Sequence, residues 1–309
     1  MISLTEQVNN YLNYCAFQKR LDAKSIKAYK IDLSQLTDFL EQQSYFPNKE
    51  EIEKFITWLH EKYKPKTVKR KLACIKTFFG FLEYEEIIQN NPFSKIKVKF
   101  REPFILPKII PLDTIQKVLD VAYHEFQDAS KTSHDRNMIL RDIAVMELLF
   151  AIGARISEVC SLRKGDVDLK SGTVKIYGKG SKERIIQIGN PDVLKIIIQY
   201  SKNFDSLNEK SNYFFVNRFY SRLSEQSARV IITKYVEKSG LSTHITPHMF
   251  RHTFATLLLE EDVDIRYIQK FLGHSSIVTT QIYTHVTSQK QKQILVAKHP
   301  RNKLCFNSG

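Results

Sequence analysis

A chain of 309 residues, 42% hydrophobic and 26% charged, is long enough for two ordinary domains and has the composition of a globular protein, not a disordered one. Its formal net charge of +14 favours a polyanionic partner, either nucleic acid or an anionic membrane surface, unless the excess only reflects a generally basic proteome. The opening "MISLTEQVNN" lacks the order of a signal peptide, and no stretch approaches the ~18 uncharged apolar residues of a membrane span, so a cytoplasmic protein without a membrane partner is expected.

The first hundred residues read as four amphipathic helices. "SLTEQVNNYLNYCAF" opens with capping-box spacing, Ser3 to Glu6, and puts Val8, Tyr11, Leu12 and Cys15 on one face. "SIKAYKIDLSQLTDFLEQQ" does the same with Ile26, Tyr29, Leu33, Leu36 and Leu40, and "NKEEIEKFITWLHEKY" with Ile52, Phe55, Ile56 and Leu59. In "KTVKRKLACIKTFFGFLEYE" the inward set is Val68, Leu72, Ile75, Phe78, Phe79 and Leu82. This segment, residues 1–100, holds 17 Lys and Arg against 12 Asp and Glu, so both it and the remainder are basic. Lys64, Lys66, Lys69, Arg70 and Lys71 gather near the start of the fourth helix, where side chains and helix dipole favour phosphate. The other reading of that run is a solvated charged face.

Residues 101–111 continue a basic, proline-punctuated stretch, with Pro92, Pro103, Pro107 and Pro111 marking a linker. A second part, 112–309, begins with the helix "PLDTIQKVLDVAYHE", for which Asp113 is the expected N-cap. "NMILRDIAVMELLFAIGARISEVCSL" is a long apolar segment interrupted at Gly153, and "GTVKIYGKGSKERIIQIG" alternates on both sides of a Gly/Lys/Ser turn, which predicts a β-hairpin. Helices resume around "SEQSARVIITKYVEKSG", "HMFRHTFATLLLEE", "DIRYIQKFLG" and "SIVTTQIYTHV". Cys15, Cys74, Cys160 and Cys305 stand far apart with no CxxC pair, suggesting neither a zinc knuckle nor a disulfide framework.

Four places in this second part can carry chemistry. Arg155 follows Gly153 in an apolar stretch, where its charge needs an anion or a carboxylate, and Glu158 three residues on could supply a plain ion pair instead. Lys179 sits in the hairpin turn beside Lys182 and Arg184; such turns are ordinarily just solvated, yet a lysine at a ribbon tip can donate a proton to a leaving oxygen. In "HITPHMFRHTFAT", His248 and His252 have the i, i+4 spacing of a zinc pair, but Met249 stands where a zincin needs Glu and no nearby carboxylate or cysteine completes a set. His248 and Arg251, three apart on one helical face, suit a phosphate better. In "LGHSSIVTTQIYTHV", His274 precedes Tyr283; a tyrosine there is ordinarily core or rim, and with a base and electrostatic help it is a nucleophile.

In this order the signals resemble the tyrosine recombinase (phage integrase) family, most closely its Xer-like two-domain members. The carrying residues are "GARISEVCSLRKGDVDL", "GKGSKERIIQIG", "TPHMFRHTFATLLLE" and "IQKFLGHSSIVTTQIYTHV", with the less specific "SIKAYKIDLSQLTDFL". The resemblance implies a mainly α fold with a small antiparallel β-sheet: an N-terminal SAM-like core-binding helical bundle over 1–100, a linker over 101–111, and an α+β catalytic domain over 112–309. The tail from about 288 is implied to dock on a neighbouring protomer. It also implies Arg155, Lys179, His248, Arg251 and His274 as catalytic residues and Tyr283 as nucleophile, with Glu158 supporting the arginine and Asp166 the fold. No cofactor and no metal are expected. The implied partners are a double-stranded DNA recombination site and three further copies of the chain, with a paralogue or accessory protein left open. A type IB topoisomerase-like enzyme and a non-catalytic DNA-binding accessory protein are the competing readings.

Overall fold

The computed structural model describes residues 3–40, 46–96, 98, 108–128, 130–178, 183–205 and 211–273. The chain divides into two compact units, Met1–Phe104 and Ile105–Gly309.

The first unit holds α1 (Leu4–Phe17), α2 (Ala23–Phe39), α3 (Lys49–Lys62) and α4 (Pro65–Tyr84). Each start has a local cause. Ser3 and Asp22 accept hydrogen bonds from the backbone N–H groups of Glu6 and Ser25. Asn48 and Glu51 cap one another reciprocally at 3.1 and 2.8 Å. Pro65 takes the first helical position of α4, where its missing N–H costs nothing. The expected apolar faces meet in one core, with Tyr11, Leu33, Leu36, Ile52, Phe55, Leu59, Val68, Ile75, Phe78, Phe79 and Leu82 all essentially inaccessible. Each such large side chain contributes about 1.5–3 kcal/mol from leaving water. At one margin of this core Trp58 packs between Phe39 and Phe55, both at 5.5 Å between ring centroids, under the Lys62 ammonium at 4.3 Å.

The second unit is built around α6 (Ser133–Ile152), which packs against α5 (Leu112–Gln127), α8 (Pro191–Asp205), α9 (Glu225–Lys238) and α10 (Pro247–Glu260). Buried residues run almost continuously from Ile139 to Ile152, as expected for a helix apolar on every side. Short α7 (Ile156–Val159) leads into a three-stranded antiparallel sheet of β1 (Val167–Asp168), β2 (Thr173–Tyr177) and β3 (Glu183–Gln187), in that order, and α11 (Ile265–Leu272) follows α10. The fold is therefore mainly helical with one small antiparallel sheet, and the predicted hairpin is β2–β3, with Ile176 opposite Arg184 and Tyr177 opposite Glu183.

One expected boundary is corrected. Asp113 is not the N-cap of α5: Pro111 is, and the Asp113 carboxylate instead accepts from the Thr114 N–H at 2.7 Å inside the first turn. The fixed φ of Pro111 starts the helix two residues earlier than the side-chain cap would. Cys15, Cys74 and Cys160 are buried thiols. Among the described residues no helix is long and apolar enough to cross a membrane. The linker residues 101–107, the hairpin tip 179–182 and the whole stretch 274–309, with the expected docking tail and Cys305, lie outside the described residues.

Candidate active site

Gly153 ends α6 in the left-handed conformation, with φ of 58°, and the chain turns there so that Arg155 becomes the residue capping α7. A side chain at 153 would also collide with Phe254 of α10, whose Cδ1 would stand 2.4 Å from a Cβ. Glycine at this point therefore brings the end of α6 directly onto α10. Arg155 donates from its backbone N–H to Glu158 Oε2 at 2.8 Å and from Nη1 to Oε1 at 2.9 Å. The ion pair foreseen as an alternative to function exists, and the Arg155 side chain is still 37% exposed.

Glu158 has a second and closer partner. Arg184 of β3 binds its carboxylate through Nη1 and Nη2 at 3.0 and 2.7 Å, a bidentate pair nearly shut off from solvent. Burial alone would raise the Glu158 carboxyl, but the hydrogen bonds and charge of Arg184, then of Arg155, outweigh it and hold the group below its ordinary value. The third nitrogen of Arg184, Nε, donates to the Phe271 carbonyl at 2.8 Å, at the C-terminal end of α11.

α10 starts at Thr246, whose hydroxyl accepts from the Met249 N–H at 3.3 Å, with Pro247 in the first helical position. This start sets the orientation of the His248 and Arg251 pair. His248 is exposed in the first turn, whereas Arg251, three residues on, is buried and donates from Nη1 to the Gly153 carbonyl and from Nη2 to the Leu272 carbonyl, both at 2.8 Å. Arg251 thus ties the ends of α6 and α11 together. The same two helix ends are where Arg155 and His274 adjoin the described fold, the former two residues after Gly153 and the latter two after Leu272.

Both histidines of α10 resist protonation. His248 lies below the ordinary imidazole value first because protein packs on one side of it, then because Arg251, Arg155 and Arg229 crowd it with positive charge. Burial, His248 and Arg251 lower His252 in the same sense. An imidazole harder to protonate in the folded chain than in the unfolded one makes stability fall as pH drops below about 6.5, the loss ending once the folded values are passed. Thermal unfolding followed from about pH 8 to about pH 5 should show this decline, and a variant with both histidines changed to Gln should decline less. An unchanged pH dependence in that variant would count against the assignment.

Of the expected site residues, Arg155, His248 and Arg251 converge on these helix ends. Lys179, His274 and Tyr283 lie outside the described residues. Asp166 is nearly buried and accepts from the Arg163 N–H at 2.8 Å, which is a fold-supporting position. Arg184 was not singled out from sequence, although a signal existed: it has the same strand parity as the buried Ile186 and Ile188 and so belongs to the inward face. Among the described residues no three His, Cys, Asp or Glu side chains gather to hold a metal.

In the first unit Lys64, Lys66, Lys69 and Arg70 are on the surface, and Arg70 pairs with Asp32 through both terminal nitrogens. Lys71 departs from the expectation. It is 3% exposed, its ammonium bonded to Asp32 at 2.9 Å and Gln35 at 2.6 Å and lying over the Tyr63 ring. Its charge neutralises a buried carboxylate and is not presented to a ligand.

A helical bundle followed by a helical unit with a three-stranded sheet, with arginines and a histidine at the ends of α6, α10 and α11, is the architecture of a phage integrase catalytic domain behind a SAM-like domain. Residues 114–290 match the phage integrase family and residues 8–86 the phage integrase N-terminal SAM-like domain. The chain belongs to the phage integrase family of tyrosine recombinases. It is 53% identical over 312 residues to a tyrosine recombinase of Agathobacter rectalis, covering 99% of this chain and all of that one. It is 36% identical to the tyrosine recombinase XerC of Thermodesulfovibrio yellowstonii, over 96% of this chain and 97% of that one. Among solved structures, XerH recombinase bound to a palindromic difH substrate shares the fold with a TM-score of 0.74 at 20% identity, over 96% of this chain and 84% of that one.

Proposed function

We propose that this protein is a site-specific DNA recombinase that cuts and rejoins strands through a covalent 3′-phosphotyrosyl intermediate. The observation that carries the reading is the meeting of Arg155, His248 and Arg251 at one set of helix ends, inside a chain of tyrosine recombinase sequence. Tyr283 attacks the phosphodiester and releases a 5′-hydroxyl. The bond energy is kept in the phosphotyrosine, so resealing needs no ATP. Arg155 and Arg251 stabilise the charge that builds on the non-bridging oxygens in the transition state. Lys179 protonates the departing 5′-oxygen, and His248, held neutral near pH 7, assists proton transfer. His274 hydrogen-bonds the phosphate.

Exchange follows when the 5′-hydroxyl of a partner strand attacks the phosphotyrosine. Two rounds on two duplexes, through a Holliday junction, use four protomers, with the tail of each docked on its neighbour. Chromosome-dimer resolution and excision or integration of a mobile element both fit this chemistry. The decisive experiment is incubation with a nicked suicide substrate in EDTA. A covalent protein–DNA adduct is expected, together with recombinants from two intact sites. Supercoil relaxation without recombinants would favour a topoisomerase-like enzyme, and DNA binding without an adduct a non-catalytic accessory protein.

The basic surface of α4 supplies phosphate contacts in this reading. Changing Lys66 to Ala should weaken DNA binding for every sequence and reduce the log–log salt slope by about one. Changing Lys71 to Met should instead destabilise the first unit by about 3 kcal/mol, because Asp32 stays buried with one cation fewer. Chemical denaturation and salt titration of the two variants separate these effects, and the opposite pattern would return Lys71 to the DNA-facing set.

A further inference from the structure

Arg184 has no part in the chemistry above, yet it bridges Glu158, the partner of Arg155, to the end of α11. Every nitrogen of its guanidinium is committed, two to Glu158 and one to the Phe271 carbonyl. Gly273 presses against it so closely that a Cβ there would stand 2.8 Å from Nη1 and 3.1 Å from Cδ. Gly273 also has φ of 66°, a left-handed backbone conformation that favours glycine. The next residue is His274, and Lys179 lies five residues before Arg184 along the hairpin.

The Glu158 carboxylate receives four N–H groups: two from Arg184, one from the Arg155 backbone and one from Arg155 Nη1. That fills the acceptor capacity of a carboxylate. With both oxygens held by the Arg184 fork, Glu158 engages the Arg155 side chain through Nη1 alone, and that side chain remains 37% exposed. Without the fork, the carboxylate would be released to take Arg155 bidentately and to neutralise the charge a phosphate needs.

We propose that Arg184 is a positioning residue for strand cleavage: it occupies Glu158 so that the Arg155 guanidinium stays available to the scissile phosphate, and it fixes the end of α11 from which His274 follows. The proposal rests on the recombinase reading. Its test compares the full-length wild type with Arg184→Gln and Arg184→Lys in single-turnover adduct formation on suicide DNA. Arg184→Gln should bind DNA within about twofold of wild type and form adduct about a hundredfold more slowly, on the scale of one lost electrostatic contact. Lysine keeps the charge but not the fork, so Arg184→Lys should recover little.

Two further readouts separate positioning from bulk stability. Adding Glu158→Gln to Arg184→Gln removes the competing carboxylate and should return about tenfold of the rate, consistent with Arg155 being set free. A methylphosphonate at the scissile position removes a charged oxygen and the need for Arg155, so the Arg184→Gln defect should shrink there to a few fold. Equal cleavage by Arg184→Gln and wild type, a defect undiminished on methylphosphonate, or a loss of binding as large as the loss of rate would each overturn the proposal. Should Arg184→Gln not fold, Arg184→Lys carries the same substrate comparison. A wild type that forms no adduct at all would instead overturn the recombinase reading.

Discussion

Changing Arg251 to Ala is expected to slow adduct formation by about 10²–10³-fold and to lower the stability of the second unit. In the proposed mechanism the catalytic part follows from losing a preorganised cation at the charge that develops on the phosphate, which costs about 10²–10³ in rate for a single donor. The structural part follows from the two carbonyls it serves. Gly153 and Leu272 each lose a donor at 2.8 Å, and a buried acceptor left unmet costs about 1–3 kcal/mol. Stopped-flow or quench assays on suicide DNA give the rate, and denaturant titration gives the stability. His252→Gln should cost far less activity, because in the proposed mechanism His252 contacts neither the phosphate nor the leaving oxygen. A reversed ranking of the two variants would contradict the placement of Arg251 at the phosphate.

The second large effect is that of Tyr283→Phe. In the proposed mechanism, removing the phenolic oxygen removes the nucleophile, so adduct formation should fall by at least about 10⁴-fold, the scale on which a catalytic nucleophile is lost. Duplex binding should remain within about twofold, because affinity in this reading comes mainly from phosphate contacts spread over both units. An adduct that persists in Tyr283→Phe, located by peptide mapping on another residue, would show that the nucleophile had been misassigned.

Much of the first unit was legible because its helices keep strict 3.6-residue periodicity: every apolar position named on α3 and α4 is buried. Lys71 was misjudged for a reason the same periodicity could have exposed. It stands three after Val68 and four before Ile75, on the buried stripe, but its basic neighbours made the run look uniform. In the second unit, local spacing sufficed to put His248 and Arg251 within one turn of the same helix. It could not reach the contacts that close the site, since Arg251 meets Gly153 and Leu272 across 98 and 21 residues, and Arg184 meets Glu158 across 26. Pairings at such separations are set by packing, not by local preference. Arg184 was obscured further by the run Ile185–Ile186, in which two adjacent isoleucines hide which strand face is inward; Ile185 is 69% exposed and Ile186 buried.

Trp58 is the single tryptophan of the chain, and it sits against Phe39 and Phe55 in the first unit. Selectively excited indole emission is therefore a private signal of that unit, silent about α5 to α11. Its response to denaturant, set beside the far-ultraviolet signal of all the helices, would reveal whether the two units melt together or in sequence. Quenching of the same emission on adding duplex would time the arrival of DNA at the helical bundle, without any label attached to the protein.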